Sequence, residues 1–125
     1  MPPDASRFTF PRSRRLSGQR VFAAVYGARV RKHAGPLVVY GRPNELGFTR
    51  LGLSVSRRVG IAVRRNRIKR LLREAFRLNQ HDWPRGYDLV VSVRPHEAMP
   101  LDEYERWLSA AVRAMDKAWR KKRGE

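Results

Sequence analysis

Cysteine is absent from this 125-residue chain, which excludes a disulfide framework and a thiolate metal site. That fits a reducing cytoplasm, the compartment expected here. Long apolar runs are absent too. No stretch approaches the roughly 20 residues that a membrane helix needs, and no apolar signal segment opens the chain. Acidic residues are scarce, at 11 Asp+Glu against 28 Lys+Arg. The three histidines, His33, His81 and His96, fall in separate predicted loops or turns and have no metal-ligand spacing. No glycine-rich phosphate loop occurs. What is there is a hydrophobic share of 42%, enough for one packed domain, and a net charge of +17. Such an excess repels itself in a compact state and calls for a polyanionic partner.

Met1 to Arg15 is rich in Pro, Ser and Arg and reads as a basic N-terminal arm (1–15). Alternating Phe8 and Phe10 would lay part of it against the body, a single domain over 16–123. Ser17 is the expected N-cap of a first helix running to about Arg29, with Val21, Phe22, Val25 and Tyr26 at helical spacing. Pro36 to Arg42 reads as a strand followed by turn residues Pro43 and Asn44. In Thr49 to Ser56, Leu51, Leu53 and Val55 alternate with Gly52, Ser54 and Ser56. This describes a strand with one apolar face and one small, open face. The small face suits either the close approach of a ligand or a helix packed over it. A second helix is expected over Val63 to Leu78, a strand over Tyr87 to Arg94 ended by Pro95, and a last helix from Asp102 to about Lys121. Tyr104, Trp107, Leu108, Ala111, Val112, Met115 and Trp119 form its buried stripe. The order helix, strand, strand, helix, strand, helix gives an α+β fold, a two-layer α/β sandwich. Thr49 to Arg94 would hold a parallel crossover around the second helix, right-handed by default.

Ser54 to Arg77, SVSRRVGIAVRRNRIKRLLREAFR, holds nine basic residues and one acid, Glu74. Stepping about 100° per residue puts Ile68, Leu71, Leu72, Ala75 and Phe76 on one face, the core seam. Asn66, Arg70, Arg73 and Arg77 share the opposite face, with Arg67 and Lys69 on its flanks. Arg65 falls nearer the core boundary and Arg64 at the helix start. Charge runs on helices are usually solvated faces, but like charges four apart are destabilising, and only Glu74 offsets them here. A one-signed face of this kind points to phosphate binding. Arginine forks match phosphate geometry, and Asn66 adds a directional donor and acceptor. Arg57 and Arg58 extend the patch at the strand end. Contacts of this kind give salt-dependent affinity and no base reading.

Phe22 and Tyr26 on the first helix and Tyr40 near the end of the first strand are either core residues or a stacking platform for unpaired bases. Trp83, Trp107 and Trp119 read as structural.

The stretch RLGLSVSRRVGIAVRRNRIKRLLREAF closely resembles the signature of the protein subunit of bacterial ribonuclease P, with Arg65-Asn66-Arg67, Lys69 and Arg70 at its centre. The strong match covers about residues 50 to 76 of the sequence. A weaker pattern covers the arm, Phe22 and Tyr26, Val39-Tyr40, the strand near 87 to 94 and the final helix. The resemblance implies an α/β sandwich whose second helix makes a left-handed parallel crossover, overriding the default hand. It also implies that the catalyst is an RNA subunit, which removes the 5′ leader of precursor tRNA with Mg²⁺ held by RNA. The protein itself would bind no cofactor and no membrane, and would act as one protein per RNA. Arg57, Arg58, Arg65, Asn66, Arg67, Lys69, Arg70 and Arg73 would face the RNA subunit. Phe22, Tyr26 and Tyr40, bordered by Ser54 and Ser56, would line a cleft for single-stranded leader. Two positions depart from the pattern: Ile61 stands where a polar or basic residue is common, and Tyr26 where phenylalanine is.

The residues themselves offer no protein catalyst. Asp102, Glu103 and Glu105 at the start of the last helix suit its N-terminus better than metal or acid–base work. A ribosomal or other structural RNA-binding protein would share the size and charge, but would not need the arginine–asparagine helix beside an aromatic cleft. A helix-turn-helix DNA binder needs two adjacent helices, whereas the second helix here lies between strands.

Overall fold

The structure, a computed structural model, describes residues 10–124; Phe8 and the rest of the arm before Phe10 lie outside the described residues. Three helices and four strands follow in the order α1 (Gln19–Gly27), β1 (Arg31–Ala34), β2 (Leu37–Pro43), β3 (Arg50–Val55), α2 (Ala62–Asn79), β4 (Tyr87–Val93) and α3 (Leu101–Lys122). The strands form one sheet in the order β1-β2-β4-β3. β1 and β4 each pair antiparallel with β2, while β3 and β4 are parallel. The expected α+β sandwich and the parallel crossover through α2 are therefore both present.

Successive side chains point to opposite sides of each strand, which divides the sheet into two faces. Leu37 and Val39 of β2, Leu51 of β3, and Leu89, Val91 and Val93 of β4 turn toward α2 and α3. There they meet Ile68, Leu72, Ala75 and Phe76 from the apolar seam of α2 and Tyr104, Leu108, Val112 and Met115 from α3. Leu71, expected on the same seam, is half-buried against this core. Gly41 lets Met115 pack directly on β2: a Cβ there would stand 2.7 Å from its sulfur. Side chains of opposite parity face α1, where Leu16, Val25 and Val90 form a second, smaller cluster. Two of the three indoles expected to be structural have their N–H groups satisfied within the protein. Trp83 donates to Ser109 Oγ at 2.9 Å, and Trp119 to the Gly41 carbonyl at 2.8 Å.

Three expectations change. Arg31–Ala34 is a strand, so His33 lies in β1 and not in a loop. It pairs with β2 across a tight turn in which Gly35, at φ 54°, sits under the Trp107 ring. RKHA has little strand-forming character; it is a short, charged edge strand of the type that resists edge-to-edge pairing. Second, α1 begins later than expected, with Gly18 and not Ser17 at its N-cap. Leu16 is tied to the edge of β3, its N–H donating to the Leu51 carbonyl at 2.8 Å. The chain must then swing from sheet edge to helix, which Gly18 allows at φ 97°. Third, α3 starts at Leu101 behind Pro100, one residue before Asp102.

Candidate nucleic-acid interface

α2 carries its charges as helical geometry requires. Burying Ile68, Leu72, Ala75 and Phe76 leaves Arg64, Asn66, Arg67, Arg70 and Arg73 exposed and Lys69 and Arg65 half-buried. Arg65 sits at the core boundary, its Nε shielded from solvent. Upstream, β3 ends at Val55, and a 3-10 turn over Arg57–Val59 buries Val59 while presenting Arg57 and Arg58 to solvent. None of these cations is ion-paired among the described residues. Arg77 differs: it pairs with Glu74 one turn back. That hydrogen-bonded guanidinium holds the Glu74 carboxyl below the usual carboxylate range, burial opposing it in part.

The described part of the arm, residues 10–15, joins this face. Phe10 packs against Phe76 with ring centroids 5.0 Å apart, and the Arg15 guanidinium lies 4.9 Å from the Phe10 ring centre. Phe10 and Arg15 then close a polar depression of about 510 Å³ with Asn66, Arg70, Arg73, Glu74 and Arg77. Sequence reading does not assign Phe10 and Arg15 to the site. The alternating aromatics and the arm's basic composition are the available signal, but only tertiary packing reveals the partner surface.

On the other face of the sheet, α1 lies across Gly52. A Cβ at Gly52 would stand 2.7 Å from the Phe22 ring, so the glycine is what lets the helix approach. Helix packing thus occupies the small face of β3 at Gly52, while at Ser54 that face stays open. Phe22, Ala23 and Tyr26 with Gly18, Gln19 and Ser54 line an open cavity of about 490 Å³. Phe22 and Tyr26 meet edge to face, with centroids 6.4 Å apart, and Tyr26 meets Tyr40 at 4.6 Å. All three rings are half-buried, with one side in the small core and another accessible. Of the five residues expected at the cleft, Phe22, Tyr26 and Ser54 line the cavity and Tyr40 joins through its ring. Ser56 lies outside the lining, exposed at the start of the 3-10 turn. Arg31 is the cross-strand neighbour of Tyr40 and exposed, a cation beside the aromatic row that sequence reading misses along with β1.

The acidic start of α3 is occupied within the protein. Glu103 pairs with Arg106, and Glu105 accepts from Asn79 Nδ2 at 2.8 Å. Among the described residues, no group of three or more histidine or carboxylate side chains could hold a metal ion, and no helix is long and apolar enough to cross a membrane.

An α+β domain with a nearly uncompensated arginine helix on one side of the sheet and an open aromatic cavity on the other has the features of a polyanion-binding protein. Comparison with known proteins narrows the class. The family model for ribonuclease P matches residues 10–119. The ribonuclease P protein component of Photorhabdus laumondii is 42% identical over 116 residues, 92% of each chain. The RNase P protein from Thermotoga maritima superposes with a TM-score of 0.73 at 31% identity, covering 80% of this chain and 96% of that one. A Staphylococcus aureus RNase P protein mutant gives 0.74 at 27% identity, covering 83% and 89%. The chain belongs to the ribonuclease P protein family, whose members are protein components of a tRNA-processing endoribonuclease.

Proposed function

We propose that this protein binds the catalytic RNA of ribonuclease P through the exposed face of α2 and holds the 5′ leader of precursor tRNA in the aromatic cavity beneath α1. The observation that carries this reading is the run of unpaired cations: Arg57, Arg58, Arg67, Arg70 and Arg73, with Asn66 among them, all exposed and without carboxylate partners among the described residues. Phosphates are the partner that relieves their mutual repulsion, and guanidinium forks bind them in paired hydrogen bonds. Arg65 and Lys69 act at the margin of the same surface.

The cavity suits a different RNA element. Phe22, Tyr26 and Tyr40 offer ring surface on which unpaired bases stack without sequence preference, and Ser54 offers a hydroxyl at its rim. Ser56, outside the lining, is assigned to the bordering strand end. In this division of labour the RNA subunit cuts the phosphodiester with Mg²⁺ that it holds, and the metals polarise the reacting oxygens. The protein's residues bind, orient and neutralise. It works in the cytoplasm, as one protein per RNA, and binds no cofactor of its own.

Leader cleavage of a precursor tRNA by the cognate catalytic RNA at low Mg²⁺, with and without the protein, tests this reading. The expected result is cleavage restored by a protein that is inactive alone. Cleavage unchanged by the protein would leave only a general RNA binder.

A further inference from the structure

A second row of cations stands on α3. Its first half carries the acids Asp102, Glu103 and Glu105, while Arg113, Lys117, Arg120, Lys121, Lys122 and Arg123 crowd its second half and C-cap. The only acid among the described residues of that half is Asp116. It is buried, accepts the Tyr87 hydroxyl at 2.6 Å and pairs with Arg120 at 3.0 Å. Arg113, Lys117 and Lys121 follow one another at intervals of four on the solvent face, and Lys122 lies against the Trp119 ring at 5.8 Å. None of the four has a carboxylate partner among the described residues. Like charges at this spacing destabilise a helix. The favourable field of the helix C-terminus reaches only the last turn, so it covers Lys121 and Lys122 but not Arg113 or Lys117.

We propose that this outer face of α3 is a second phosphate-binding surface, which takes a segment of the RNA subunit distinct from the one held by α2. The inference rests on the function proposed above. Two features of the fold favour the RNA subunit over the leader. α3 packs on the sheet face opposite α1, so the aromatic cavity and whatever it holds lie on the far side. α3 shares its layer with α2, whose Asn79 and the following Trp83 reach Glu105 and Ser109 in the first half of α3. Along α3 the acids Asp102, Glu103 and Glu105 precede the basic half, and Glu105 is bonded to Asn79 of α2.

The test is equilibrium binding of the full chain to the RNA subunit alone, without precursor tRNA, over a range of salt. One variant carries Arg113→Gln, Lys117→Gln, Lys121→Gln and Lys122→Gln. A charge-matched control carries Arg20→Gln, Arg29→Gln, Arg85→Gln and Arg94→Gln, and a third variant carries Arg70→Gln and Arg73→Gln. All these positions are exposed, and thermal melts verify the fold. The α3 variant is expected to bind at least tenfold more weakly than the control, with the slope of log K against log salt reduced by roughly 0.7 to 0.9 for each phosphate no longer neutralised. An α3 variant that matches the control, while the α2 variant is weakened, overturns the second surface and leaves the proposed function standing. An α2 variant that also binds like wild type would overturn the function proposed for α2 itself. Affinity retained for the RNA subunit but lost for anionic phospholipid vesicles would assign the α3 face to a membrane surface, and the proposal would fail.

Discussion

On the face of the sheet under α2 and α3, strand residues Leu37, Val39, Leu89 and Val91 and helix residues Ile68, Leu72, Phe76, Tyr104 and Met115 are almost wholly removed from water. Under α1, the cluster among the described residues buries Leu16, Val25 and Val90, and the rings around them are half-exposed. The two faces therefore divide the work. The thick layer supplies the apolar burial that holds the chain folded and, on its outside, carries the arginines of α2. The thin layer has too few side chains to close over the sheet, and that shortage leaves the aromatic cavity open. A binding cleft of this kind is made by withholding core rather than by adding a special loop.

Truncation on the two sides should break the molecule unequally. Phe76→Ala removes a ring that also supports Phe10 and Trp83. It should cost about 3–5 kcal/mol in urea unfolding. Val25→Ala, in the thin layer, should cost about 2 kcal/mol. Equal losses would mean that α1 stabilises the domain as strongly as the large core does.

The thin face has one strong internal tie, and it is polar. Asp88 in β4 is fully buried and accepts both Arg50 Nε at 2.8 Å and Nη2 at 2.7 Å, with Asn44 Nδ2 at 2.9 Å. These bonds also raise the pKa of Arg50. They join β3, β4 and the loop after β2 at the end of the sheet away from Ser54. Asp88→Ala strands a partly buried guanidinium and should cost about 3 kcal/mol. A stability within about 1 kcal/mol of wild type by the same assay would show that solvent replaces the pair.

In the cavity itself the balance should reverse. Phe22 is half-buried, so Phe22→Ala should lower stability by only about 1 kcal/mol. It should weaken binding of a precursor tRNA with a leader by about 1–3 kcal/mol relative to one without, the cost of removing a stacking ring. Equal weakening for both RNAs would remove Phe22 from the leader site.

How much of this is legible in the sequence follows the same division. The basic face of α2 can be read because its period is long and one-signed: Ile68, Leu72 and Phe76 have to face inward, so Asn66, Arg70 and Arg73 have to face outward. The strand at Arg50 announces itself by apolar alternation, and those at Leu37 and Tyr87 by short apolar runs bounded by turn residues. β1 does not, because Arg31, Lys32 and His33 owe their strand conformation to pairing with β2 and not to their own preferences. With β1 goes Arg31 beside Tyr40. The contribution of Phe10 and Arg15 is hidden for a similar reason, since contact with Phe76, far along the chain, leaves no local pattern. Gly52 reads as a place for either a ligand or a packed helix, and only the placement of α1 shows that Phe22 takes it.

The smallest expected effect concerns the acid set among the arginines of α2. Glu74 lines the same depression as Arg70 and Arg73, yet its carboxylate is committed to Arg77. Its folded pKa is lowered, so the pair stabilises the fold above the unfolded value, about 4.3 for glutamate. That stabilisation is lost as pH falls through the lower, folded value. Both side chains are about a third exposed, and solvent screening limits the gain to a few tenths of a kcal/mol. Glu74→Gln should therefore lose this small increment in unfolding experiments near pH 7, and the difference from wild type should shrink as pH is lowered through the carboxyl's titration. At neutral pH it should bind the RNA subunit slightly more tightly, because an acid has left a surface that works by positive charge. If the substitution weakened RNA binding instead, Glu74 would be needed to aim Arg77 at the RNA, and the pair would belong to the interface rather than to the helix.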